Sequence, residues 1–177
     1  MELTDASVLG IHGRLSLTVV RPDGTIRDQR TGDNSMCTAG LTAIMASLVW
    51  SGIQDQAGAL GVTSPTYLTP LWGAVGSGTG TTSPSDTALW SELGRQTVGA
   101  GASTPATPTL NSQATWLFYF GQPTVPWTIT EAGVFANGTS DPSAAGVLLD
   151  HLAVTPSITV PTTDTLILQA SFSLAGA

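Results

Sequence analysis

Asp164-Thr165-Leu166-Ile167-Leu168-Gln169-Ala170-Ser171-Phe172-Ser173-Leu174 puts Leu166, Leu168, Ala170, Phe172 and Leu174 on one face and mostly polar residues on the other, the two-residue period of a half-buried β-strand. An apolar face of that length must be covered by a second layer. Arg14–Val20 alternates in the same way, with Leu15, Leu17 and Val19 opposed to Ser16 and Thr18. Arg21-Pro22-Asp23-Gly24 follows, with proline preset for the second position of a turn and glycine open to positive φ. Thr25–Arg30 then returns as a more polar strand, so this hairpin is expected to present an exposed edge. Tyr67–Val75, Gln113–Phe120, Trp127–Phe135 and Gly146–Val154 complete a set of about seven strands separated by turns bearing Pro and Gly. The expected fold is mainly β, an antiparallel β-sandwich with one main helix and a short second helix.

The main helix is expected over residues 36–50, where Leu41, Ile44, Met45 and Leu48 fall at helical spacing behind Asn34 or Ser35 as cap. Its apolar residues occupy more than one side, which suits packing on a sheet or on another subunit. The short helix is expected from Ser83-Pro84-Ser85-Asp86, where serine, proline and a carboxylate stand in the order of a capping box. Residues 1–30 read as an N-terminal arm and β-hairpin, and 31–177 as a single β-sandwich domain. Gly76–Thr82 and Gly99–Pro108, rich in Gly, Ser, Thr and Pro, read as flexible connections, and Ile53–Thr69 as a surface loop.

At 177 residues, 41% hydrophobic and only 10% charged, the chain suits one globular domain. A net charge of −7 and a pI near 4.3 disfavour binding to nucleic acid or to an anionic membrane. All 5 basic residues are arginine, which excludes lysine Schiff-base chemistry and a lysine-dependent phosphate loop. The single cysteine, Cys37, cannot form an intramolecular disulfide, so the core or association with other chains must hold the fold. No apolar run approaches the roughly 20 residues of a membrane span, and the start lacks the basic region of a signal peptide; a soluble protein is expected.

Candidate chemistry is sparse. Gly76-Ser77-Gly78-Thr79-Gly80 lacks the Lys-Ser/Thr or the helix that a phosphate loop requires. His12, His151 and Cys37 lack zinc-site spacing, and the loop Asn137–Asp141 offers a cation one carboxylate, so neither metal nor cofactor is expected. Asp150 and His151 are neighbours in a strand and must face opposite ways; His151 reads as an edge histidine at a strand end. Without a G-x-S-x-G elbow or a close carboxylate pair, the chain is not expected to be an enzyme. Glu131 is more informative. It shares a face with Ile129 and Gly133, so its carboxylate should point inward and need a partner such as Arg95, a structural ion pair. Five tryptophans, Trp50, Trp72, Trp90, Trp116 and Trp127, suit core or subunit packing better than a sugar-binding groove. Leu41, Ile44, Leu48, Trp50, Trp127 and Phe135 are the expected assembly residues.

Several segments, taken in order, resemble a known group. Asn34 with Ala39-Gly40-Leu41-Thr42-Ala43-Ile44, Val75 to Leu89, Glu92 to Arg95, Thr128 to Phe135, Gly146-Val147-Leu148-Leu149 and Asp164-Thr165-Leu166 are similar to small tail and appendage proteins of tailed bacteriophages. Thr-Glu-Ala-Gly-Val-Phe also resembles a segment in the particle-attaching domains of phage tail-collar fibres, where leucine usually replaces Val134. The resemblance covers roughly residues 30 to 174. It implies a virion structural protein, a baseplate or tail-fibre attachment subunit, with capsid decoration on the head as the alternative. It implies a homo-oligomer, a trimer or a higher cyclic order, docked to other virion proteins after synthesis in the bacterial host cytoplasm. A carbohydrate-binding module is the alternative of another class.

Overall fold

The computed structural model describes residues 9–42, 70–99, 113–136, 138–141 and 146–176. Alternation translates into strands where expected: β1 (Leu9–Val20), β2 (Ile26–Asp33), β4 (Pro70–Gly76), β6 (Gln113–Phe120), β7 (Trp127–Ala136), β8 (Val147–Val160) and β9 (Thr165–Gly176). Two more join them, the two-residue β3 (Ser35–Met36) and β5 (Glu92–Thr97). Sheet A has the order β2-β1-β9-β6 and sheet B the order β3-β8-β7-β4-β5, all antiparallel. The expected antiparallel β-sandwich is the fold.

The core lies between the sheets. Leu15, Leu17 and Val19 of β1, Leu166, Leu168 and Ala170 of β9, and Phe118 and Phe120 of β6 meet Val75, Ile129, Ala132, Val134, Leu149, Val154, Ile158 and Val160 of sheet B. Fully burying each large apolar side chain contributes roughly 1.5–3 kcal/mol, which makes this layer the main source of stability. β1 lies inside sheet A and feeds the core with three residues that are 0% exposed. The hairpin turn is as expected: Gly24 has φ +84° and its N–H donates to the Arg21 carbonyl at 2.9 Å.

β2 is polar because it is an edge. The Gln29 N–H donates to Asp28 Oδ1 at 2.8 Å, and Arg30 Nη1 donates to the Gln29 carbonyl at 2.8 Å. Neighbouring side chains thus occupy backbone groups that an added strand would use, one way of blunting an edge. The chain then crosses at Asn34 from sheet A to β3 of sheet B. On the opposite flank the Gly99 N–H donates to the Leu117 carbonyl at 3.0 Å, tying the end of the β5 segment to β6.

Both helical expectations are modified. Residues 38–42 are helical, starting later than expected because Ser35 and Met36 pair with β8 instead. The remainder of the expected helix, with Ile44, Leu48 and Trp50, lies outside the described residues, as do 53–69 and 100–112. Ser83–Asp86 forms a turn and no helix. The capping bonds exist, Ser83 N–H to Asp86 Oδ2 at 2.9 Å and Asp86 N–H to the Ser83 carbonyl at 3.0 Å. The chain then extends so that Leu89 reaches a second apolar cluster, with Cys37, Ala74, Phe135, Leu148 and Trp72, on the outer side of sheet B.

Candidate functional site

The polar centre of the molecule lies on that covered outer side of sheet B. Glu131 sits in β7 amid apolar residues, and the register shift between Ile129 and Glu131 decides where it points. Ile129 enters the inter-sheet core, whereas Glu131 faces outward with Gly133 and Phe135, which corrects the expectation that Glu131 and Ile129 share a face. Segment 77–91 passes over this position and makes Glu131 0% exposed.

A buried carboxylate must be saturated by donors, and this one is. Oε1 accepts from the N–H groups of Gly78 at 2.9 Å and Ser91 at 2.7 Å. Oε2 accepts from the Trp90 N–H at 2.8 Å and lies 3.1 Å from His151 Nε2. Burial pushes the Glu131 pKa up, but the bonds from His151, Ser91, Trp90 and Gly78 outweigh it and hold the carboxyl below its ordinary value.

His151, on β8, is directly opposite Gly133 of β7, where a Cβ would meet the Asp150 carbonyl oxygen and Leu89 Cδ2, each at 2.9 Å. Its Nδ1 lies 2.7 Å from Asp86 Oδ2. With a carboxylate at each ring nitrogen, both nitrogens donate only when the ring is imidazolium. Burial lowers the His151 pKa, yet the Glu131 and Asp86 carboxylates more than compensate, and the net direction is upward. The Trp90 ring packs against the imidazole with centroids 4.6 Å apart. His151 is therefore a central histidine that is 0% exposed, and not the edge histidine the sequence suggested. The expectation that Asp150 and His151 face opposite ways holds: Asp150 meets Asn34 and Gly13 on the inner side.

The glycines of 76–80 have a packing role rather than the expected flexibility. A Cβ at Gly76 would collide with Glu131 Oε1, and one at Gly78 with Trp90 Cβ. The backbone can approach the carboxylate and the indole only without side chains. Thr130 Oγ1 also donates to the Gly78 carbonyl at 2.6 Å, fastening the segment from β7.

Arg95 is not the partner of Glu131. It donates to Glu92 from Nε at 2.7 Å and from Nη2 at 2.6 Å, with its guanidinium carbon 4.6 Å from the Phe135 ring centroid. Residues three apart in a strand normally face opposite ways, but the register shift between β4 and β5 at Val75/Gly76, where Glu92 takes the place due to Leu93, turns Glu92 to the face of Arg95. Of the expected assembly residues, Phe135 is 0% exposed within the second cluster and Trp127 packs on the core, edge-to-face with Phe120, so both are occupied inside the chain. Leu41 is 37% exposed. Trp116 packs against Phe172, Trp72 joins the second cluster and Trp90 covers His151, so the described tryptophans line no common groove.

Sequence reasoning finds Glu131 and misses His151 and Asp86. The available signal is Asp150-His151 flanked by Leu148-Leu149 and Leu152-Ala153-Val154, two polar residues inside a run too apolar for an edge. Compared with family models, with curated proteins and with solved structures, the chain finds no match in any of the three.

Proposed function

We propose that this chain is a structural protein of a tailed-bacteriophage virion, a baseplate or tail-fibre attachment subunit that acts through protein–protein assembly. One observation carries the reading: four of the six segments that resemble phage appendage proteins, though far apart in sequence, meet at one buried hub. Gly76–Gly80 and Trp90–Ser91 close on Glu131 of the Thr-Glu-Ala-Gly-Val-Phe segment, and Asp86 of Ser83–Leu89 binds His151. The Thr38 N–H donates to the Pro84 carbonyl at 2.7 Å, and a Cβ on Gly40 would lie 2.5 Å from the Leu149 carbonyl oxygen, so the segments at 39–44 and 146–149 reach the same place, whereas Glu92–Arg95 pairs within β5 and Asp164–Leu166 lies at the start of β9 in sheet A. The residues of the resemblance are spent on packing and on hydrogen bonds within the chain, as befits a scaffold whose product is shape.

The subunit works as a homo-oligomer, a trimer or a higher cyclic order, bound to other virion proteins. Light scattering on the purified chain is expected to give a multiple of the monomer mass, and immunogold labelling of intact particles is expected to mark the tail tip. Gold over the head would replace this reading with capsid decoration. A monomer absent from particles would overturn both in favour of a carbohydrate-binding module, a reading that the inward packing of Trp116 and Trp127 disfavours.

A further inference from the structure

Asp150 is a second buried carboxyl, distinct from the hub and facing the other side of β8. It is 0% exposed, lies against Gly13 of β1 and accepts a hydrogen bond at Oδ2 from Asn34 Nδ2, at the point where the chain crosses between the sheets. Among the described residues, two buried oxygens at this contact have no hydrogen-bond partner: Asn34 Oδ1 and Asp150 Oδ1. Both are acceptors if the carboxyl is ionised, and two acceptors cannot satisfy each other. One proton on Asp150 Oδ1 resolves both at once, because the hydroxyl then donates to Asn34 Oδ1 while Asn34 Nδ2 donates to Asp150 Oδ2.

We propose that Asp150 is held as a neutral carboxylic acid in a closed two-bond ring with the Asn34 side-chain amide, and that this ring pins the crossing from sheet A to sheet B. The Asn34 N–H, donating to the Gly13 carbonyl at 3.3 Å, fixes the same corner from the backbone. The neighbouring groups supply no counter-charge within the ring. From β1, His12 and Arg14 flank Gly13, and Arg14 pairs with Asp33 in an exposed contact at 3.6 Å. From the segment after β3, Cys37 is buried and its thiol is pushed up to about 12, first by burial and then by Asp150 and Asp86. From β7, the residue opposite is Val134; from β8, the His151 N–H bonds to Asp150 while its imidazole lies on the far side with Asp86 and Glu131. Burial correspondingly pushes the Asp150 carboxyl up to about 8, the His151 N–H opposing it.

Folding then takes up one proton from solvent wherever the unfolded carboxyl is ionised and the folded one is not, between the ordinary value of 3.8 and about 8. Stability from this group falls as pH rises through that window and levels off above it. Carboxyl 13C NMR on the aspartate-labelled full chain tests the proposal directly, with Asp150 assigned through its own backbone. The expected result is a protonated Asp150 resonance at pH 6 that titrates near 8; an ionised resonance at pH 6 overturns it. Asp150→Asn keeps a neutral two-bond ring with Asn34 at every pH. The folding constant of the wild type relative to this variant is expected to fall by up to about tenfold per pH unit across the window, and a ratio independent of pH overturns the proposal.

Discussion

The two outer faces of the sandwich use the same alternation and end in opposite conditions. The outer face of sheet A carries Arg14, Ser16, Gln29, Thr31, Gln169 and Ser171 around a shallow hollow, and no described segment lies over it. Its polar groups bond loosely to one another: Thr31 Oγ1 to Ser16 Oγ at 2.9 Å, Gln29 Nε2 to Ser16 Oγ at 3.3 Å, Thr115 Oγ1 with Ser171 Oγ at 3.1 Å. The outer face of sheet B carries Glu131 and His151, and segment 77–91 covers them. There both oxygens of Glu131 and both ring nitrogens of His151 have partners, since water is excluded and an unpaired charge would cost several kcal/mol. The contrast is one of charge: the covered carboxylate and imidazole are fully paired, whereas the neutral Trp72 Nε1 on the same side is buried with no hydrogen-bond partner among the described residues.

The most severe break of this contrast is Glu131→Gln. It removes the charge opposite the imidazolium and gives the Trp90 and Ser91 N–H groups an amide that matches them poorly. A loss of about 3 kcal/mol is expected in urea denaturation at pH 6. A double-mutant cycle of Glu131→Gln with His151→Gln should show coupling above about 1 kcal/mol, and the same cycle with Arg95→Met coupling near zero. Gly78→Ala is expected to cost about 2 kcal/mol, because the new methyl collides with Trp90 Cβ and comes within 2.7 Å of Glu131 Oε1. Gly121→Ala, with no described residue within 4 Å of its added Cβ, is the matched control and should leave stability nearly unchanged.

The hub should also show in a pH profile, more weakly than the substitutions. His151 titrates above its ordinary 6.5 in the folded chain, so its contribution is complete below 6.5 and lost as pH rises through the raised value. Glu131 titrates below its ordinary 4.5, so its contribution is present above 4.5 and lost as pH falls through the lowered value. Thermal melts of the wild type minus those of His151→Gln are expected to show the alkaline loss in the wild type alone. Least affected is the open face, where Thr31→Ala or Gln169→Ala should change stability by less than about 0.5 kcal/mol. A larger change there would mean that sheet A is covered in solution.

The legibility of these features in the sequence follows from how local each cause is. β9 and β6 are readable because alternation sustained over eight or more residues is the mark of a half-buried strand and of little else, and Gln113–Phe120 matches its strand at both ends. β5, Glu-Leu-Gly-Arg-Gln-Thr, is not, since a shifted register at a sheet edge erases the period of two. The burial of the Glu131 carboxylate is legible from its apolar neighbours. Its partner is not, because the hydrogen bond to His151 spans 20 residues and depends on a register shift that no local pattern encodes. Ser83–Asp86 shows the converse, a correct reading of local capping chemistry whose helix is overridden when Leu89 is drawn into the second cluster.

The pairing of β1 with β9 has a practical reach. Leu9 lies opposite Gly176 and Ile11 opposite Leu174, so the first and last described residues leave the sandwich side by side. A circular permutant that joins these ends through a short linker and opens the chain in the turn between β1 and β2 is compatible with the observed strand order. For the same reason, a reporter fused at either end of the sandwich emerges from one pole, leaving the turns at 21–25 and 161–164 on the opposite pole unobstructed.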